Sequence, residues 1–111
     1  MQIKFEQKND VMICYIDGDI DINTSPEFNK AIEKIARDKA AKVVINFEKV
    51  GYVDSSGLAT VVAALKRLKT YGGRLKLVNL STKVKNLFEI TRLDKLFEII
   101  ENEQEAIKGF V

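Results

Sequence analysis

Apolar and polar residues alternate at the start of the chain. Ile3 and Phe5 fall on one face and Lys4 and Glu6 on the other, so residues 2–7 predict a half-exposed strand. A polar turn, Lys8-Asn9-Asp10, separates it from residues 11–16 (VMICYI), which are apolar on both faces. That pattern suits an interior strand paired antiparallel with the first. Thr24-Ser25-Pro26-Glu27 predicts a helix start: Thr24 with Glu27 fits a capping box, and proline is tolerated in a first turn. Phe28, Ala31, Ile32, Ile35 and Ala36 then recur at helical spacing as one apolar stripe. Residues 43–47 (VVINF) are short, β-branched and apolar, as a buried parallel strand would be. A turn-rich segment, residues 51–57, leads into a second helix with Leu58, Val61, Val62, Leu65 and Leu68 on one face. Gly72-Gly73 stops it. Residues 74–80 predict the next strand. Ser81 or Thr82 caps a third helix carrying Val84, Leu87 and Phe88. Residues 96–100 predict an edge strand, and residues 102–108 a terminal helix with Ala106 and Ile107 facing inward.

The order is therefore β-β-α-β-α-β-α-β-α. It implies a single α/β domain over residues 1–111. Its sheet would be mixed and mostly parallel, of about five strands, with an N-terminal antiparallel hairpin and about four covering helices. Functional loops of such sheets lie beyond the carboxyl ends of the strands. Two loops qualify, residues 19–24 and residues 50–56, and both run straight into a helix start.

Composition narrows the chemistry. A length of 111 residues, 46% hydrophobic and 31% charged with one proline, describes a folded domain with room for one core. There is no histidine, which removes imidazole catalysis, histidine metal ligation and a phosphohistidine relay. Cys14 is the lone cysteine, so no intrachain disulfide or cysteine-rich zinc site can form, and its apolar strand predicts a buried, inert thiol. No apolar run is long enough for a spanning helix and the first ten residues do not read as a signal peptide. A cytoplasmic protein without a membrane partner is the expectation. The net charge of +2 is too mild to argue for nucleic acid. Lys66, Arg67, Lys69, Arg74 and Lys76 form a basic region that helix-end electrostatics largely explains. Gly72-Gly73 follows a helix and lacks the phosphate-loop pattern, so no nucleotide or other cofactor is expected on this chain.

Asp54-Ser55-Ser56-Gly57-Leu58 is the most informative segment. It puts two hydroxyls and a carboxylate where a strand gives way to a helix. One reading is capping, since Ser and Asp are preferred helix caps. Another is a phosphoacceptor serine: a helix start has orphan N–H donors and a favourable dipole, so the fold would tolerate the added dianion. Beside Asp54, that charge would repel a docked partner. A nucleophilic-serine enzyme lacks its base. Asp19 and Asp21 flank Ile20, and without further ligands they suit a solvated loop or a contact for a basic partner better than a metal. Tyr52 either packs under the motif or serves as an aromatic anchor.

These segments carry a resemblance. Gly18-Asp19-Ile20-Asp21 with Thr24-Ser25-Pro26-Glu27-Phe28, then residues 43–47 with Val53-Asp54-Ser55-Ser56-Gly57-Leu58, then residues 72–79, match in order and spacing nearly the whole length of one family. The chain resembles the STAS-domain anti-sigma factor antagonists, also called anti-anti-sigma factors. Asp19 stands where many members carry Glu. The resemblance implies a switch in which the unmodified protein binds an anti-sigma factor that is also a serine kinase, freeing a sigma factor for transcription. The kinase, which holds the ATP, would phosphorylate Ser55 and be released; a serine phosphatase would reset the switch. Asp19, Asp21, Thr24, Tyr52, Asp54, Ser56 and Gly57 would belong to the docking surface. Two other settings for such a domain are a structural module of a stressosome-like assembly and a small-molecule or nucleotide-binding domain.

Overall fold

The computed structural model describes residues 1–110; Val111, the last residue of the expected domain, lies outside them. The elements follow the expected order: β1 (Gln2–Lys8), β2 (Val11–Asp17), α1 (Ser25–Arg37), β3 (Lys42–Lys49), α2 (Ser55–Lys69), β4 (Arg74–Val78), α3 (Thr82–Ile90), a 3-10 turn (Leu93–Lys95), β5 (Glu98–Ile100) and α4 (Glu103–Lys108). The strands lie side by side in chain order, β1 antiparallel to β2 and the rest parallel. Crossovers that always step the same way put α1, α2 and α3 on one face of the sheet, as the right-handed rule for such connections requires.

The main core lies on that face. Cys14 and Ile16 of β2, Val43, Ile45 and Phe47 of β3, and Leu75 and Leu77 of β4 meet the inner stripes of the three helices. Phe28, Phe47 and Phe88 are fully buried, each removal from water being worth roughly 1.5–3 kcal/mol. Phe88 stands edge-on to both Phe47 and Phe97, with ring centroids 6.5 and 5.5 Å apart. On the other face Val11, Ile13, Val44 and Val78 pack under α4, with Ala106 and Phe110. The double-sided apolar pattern of β2 and β3 follows from this two-faced cover.

Four local expectations are revised. Thr24 does not form a capping box: its backbone sits near the helical region and its hydroxyl is used inside the preceding loop. The fourth strand ends at Val78, because Asn79 turns the chain at φ 58°. The fifth strand starts two residues late, after the 3-10 turn. The basic region is broken, because Lys76 is buried: its ammonium donates to the Ala106 carbonyl at 3.0 Å and lies 4.1 Å from the Phe110 ring centroid. That burial pulls its pKa below the usual lysine value. Other expectations hold. Ser81 caps α3, accepting from the Val84 N–H, and the terminal helix forms from Glu103, one residue later than expected, with Asn102 as its cap. Gly72 adopts φ 82° just past α2, where a side chain would be strained.

Candidate functional site

The site is built where β2 and β3 run past the end of the regular sheet. The pairing register shifts after Tyr15, and the two strands stay in touch through the Gly18 N–H to the Lys49 carbonyl, 3.1 Å. Beyond that, Ile20 and Val53 form a parallel bridge. The Ile20 N–H donates to the Tyr52 carbonyl at 3.0 Å, and the Asp54 N–H donates to the Ile20 carbonyl at 3.2 Å. The loops before α1 and α2 are thus zipped together.

Asp54 completes the junction. One carboxylate oxygen accepts from the Gly57 N–H at 2.7 Å and caps α2; the other accepts from the Ile22 N–H at 3.2 Å in the neighbouring loop. The close approach needs Gly57. A Cβ built there would stand 1.9 Å from the Ile20 carbonyl oxygen, an impossible contact. Gly57 is buried and offers a partner no side chain; its part is to let the loops meet.

Because Asp54 supplies the cap, Ser55 is left as the first residue of the helix with its side chain exposed. By helix geometry the N–H groups of Ser55 and Ser56 have no intrahelical acceptor, while those of Gly57 and Leu58 go to Asp54. The capping reading therefore belongs to Asp54, and Ser55 is not the cap. Ser56 is half-buried, and its carbonyl accepts from the Thr60 hydroxyl at 2.8 Å.

The other predicted residues fall around this point in different roles. The Asp21 carboxylate accepts from the N–H groups of Asn23 and Thr24 at 2.9 and 3.0 Å. The Thr24 hydroxyl donates to the Asp19 carbonyl at 2.8 Å and accepts from the Asp21 N–H at 2.9 Å. Asp21 and Thr24 thus hold the loop, whereas Asp19 is exposed beside Gly51. Tyr52 belongs to the surface: it is 46% exposed, with the Lys83 ammonium 5.6 Å from its ring centroid. Sequence reasoning missed two exposed apolar residues near here, Ile22 and Ile90, and a shallow groove that Tyr52 and Val53 share with Val84 and Leu87. Ile22 could have been noticed as an apolar residue stranded in a polar loop. Cys14 lies in the main core, and burial pushes its thiol up to about 12. Among the described residues no helix is long and apolar enough to cross a membrane.

Comparison with known proteins agrees with this architecture. The sequence profile of the STAS domain matches residues 2–106. The anti-sigma-B factor antagonist of Bacillus subtilis is 32% identical over 103 residues, covering 93% of each chain. The crystal structure of an anti-sigma factor antagonist from Mycobacterium paratuberculosis superposes with a TM-score of 0.89 at 24% identity, covering 97% of this chain and 92% of that one. The Bacillus cell fate determinant SpoIIAA in its phosphorylated form gives 0.74 at 22% identity, covering 99% of this chain and 100% of that one. Both structural likenesses are of fold. By profile and by sequence identity together, the chain belongs to the STAS domain family, among its anti-sigma factor antagonists.

Proposed function

We propose that this chain is an anti-sigma factor antagonist switched by phosphorylation of Ser55. The observation that carries the reading is the division of labour at the start of α2: Asp54 caps the helix, so the exposed Ser55 hydroxyl is not needed for the fold. SpoIIAA, a protein of the same fold, exists in a phosphorylated form. In the unmodified state the exposed Asp19 carboxylate, the Tyr52 ring and the Ser55–Ser56 turn form the docking surface for an anti-sigma factor. Asp21, Thr24, Asp54 and Gly57 hold that surface in shape. Docking withdraws the anti-sigma factor from its sigma factor, which is then free for transcription.

The partner is also the kinase. It transfers the γ-phosphoryl of its ATP to the Ser55 Oγ, the hydroxyl proton leaves and ADP is the product. The new group adds about −1.5 to −2 charges next to the Asp54 carboxylate. A partner surface that fitted the neutral hydroxyl now meets repulsion and a desolvation cost, and the complex separates. The helix start accommodates the dianion through its orphan N–H groups and dipole. A serine phosphatase removes the phosphate. These partners place the protein in the cytoplasm.

The test is incubation of the purified chain with the anti-sigma factor kinase of its source genome and ATP, read by intact mass. One phosphate is expected on the wild type and on Ser56→Ala, and none on Ser55→Ala. Labelling that survives Ser55→Ala and disappears in Ser56→Ala moves the acceptor one residue on and overturns the assignment.

A further inference from the structure

We infer that the outer edge of β1 pairs with the same edge of a second copy, extending two five-stranded sheets into one across a twofold axis. The two-residue turn at Asn9-Asp10 makes Lys8 and Val11 a directly paired couple at the end of an unbroken antiparallel ladder. Hydrogen-bonded and non-hydrogen-bonded pairs alternate along such a ladder. Lys8, Glu6, Lys4 and Gln2 therefore turn their backbone groups towards β2. Ile3, Phe5 and Gln7 turn theirs outward, where no strand of the described residues lies, since β1 ends their sheet. The edge has neither proline nor bulge.

Charge selects both the occupant and the register. An antiparallel copy must set outward-facing residues against outward-facing residues. With Phe5 opposite Phe5, Lys4 of each copy faces Glu6 of the other, at non-hydrogen-bonded positions where side chains are closest. Ile3 then faces Gln7, and Gln2 faces Lys8. A shift of one pair in either direction sets Lys4 against Lys4 or Glu6 against Glu6. An edge defended by lysines alone would repel its copy; alternating signs two residues apart are complementary to themselves. Lys4 and Glu6 are exposed, and neither belongs to the ion pairs of the described residues, which are Lys8–Glu103, Lys42–Asp10 and Arg74–Glu98. Both are thus available to a partner. Phe5, half-buried beneath the Lys34 ammonium, lies at the axis. One strand edge is a small interface, so the association is weak and reversible.

Sedimentation of the full chain from about 10 μM to about 1 mM, a range that spans weak affinities, tests this. The wild type should pass from monomer to dimer. Glu6→Lys and Lys4→Glu, each checked for native circular dichroism, should each weaken the dimer roughly tenfold by turning two attractive cross-strand pairs into repulsive ones. The double exchange Lys4→Glu/Glu6→Lys restores complementarity and should recover the wild-type constant. A wild type that stays monomeric throughout overturns the inference. So do folded single variants that associate as strongly as the wild type, or a folded double exchange that does not recover.

Discussion

Asp54 holds two loops with one carboxylate, and the two bonds separate by substitution. Asp54→Asn keeps an oxygen for the Gly57 N–H, whereas Asp54→Ala loses both the cap and the link to Ile22. We expect Asp54→Ala to cost about 1–2 kcal/mol in denaturant unfolding, with Asp54→Asn clearly milder. Gly57→Ala should be more severe, about 3 kcal/mol, because the new methyl lies within the Ile20 carbonyl and must part the two loops. If Gly57→Ala unfolds at the wild-type midpoint, the zipped junction is not what fixes the site. Much of this was legible in the sequence: a run of Asp, Ser, Ser and Gly between a β-branched strand and an apolar helical stripe has few structural uses. The assignment of roles was not, because Asp and Ser are both good caps and only the path of the neighbouring loop brings Ile22 to the second oxygen. Thr24 shows the same limit. Its hydroxyl could serve the helix or the loop, and the Asp19 carbonyl decided for the loop.

At the scale of elements, the two ends of the chain are tied by polar contacts that local patterns do not reveal. The Lys8 ammonium from the first hairpin pairs with Glu103 in the first turn of α4, and the Asn46 amide donates to the same carboxylate at 3.3 Å. Burial alone would raise the Glu103 pKa. The hydrogen bonds from Lys8 and Asn46, with the Tyr15 hydroxyl also contributing, outweigh it and hold the carboxyl below the usual range. A carboxyl depressed in the folded state contributes stability above its unfolded pKa, and loses it as pH falls through the folded value. Glu103→Gln should therefore melt below the wild type at pH 7, with the gap closing below about pH 4. A gap unchanged at low pH would show that the amide merely packs badly. Lys76 went unread for a related reason. Alternation along β4 puts it on the face opposite Leu75 and Leu77, but whether that face meets water depends on α4, thirty residues on, lying across it. The helix α2 suggests a further contrast. Ser55→Glu places a charge where the dipole favours it but beside Asp54, so we expect unfolding free energy within about 0.5 kcal/mol of the wild type, together with weakened capture of the anti-sigma factor. A large stability loss would make Ser55 a structural residue.

For the whole molecule, the sequential order of the strands is decisive. Open α/β sheets bind small ligands in the crevice where strand order reverses, and this sheet has no reversal. The loops at the carboxyl ends instead lie edge to edge, giving a surface suited to another protein. The order of elements was readable from periodicity, and so were the buried stripes: Phe28, Ala31, Ile32, Ile35 and Ala36 of α1 are all buried. The separation of three helices from one was not, because the direction of each crossover relative to its neighbour leaves no mark on any single segment. One feature of the interior also serves the bench. The sole thiol, Cys14, is sealed in the core and held in its protonated form, so a maleimide dye finds no native target on the folded chain. A cysteine introduced at the exposed Ile22 position can then be labelled alone, and its fluorescence will report on what comes and goes at that loop.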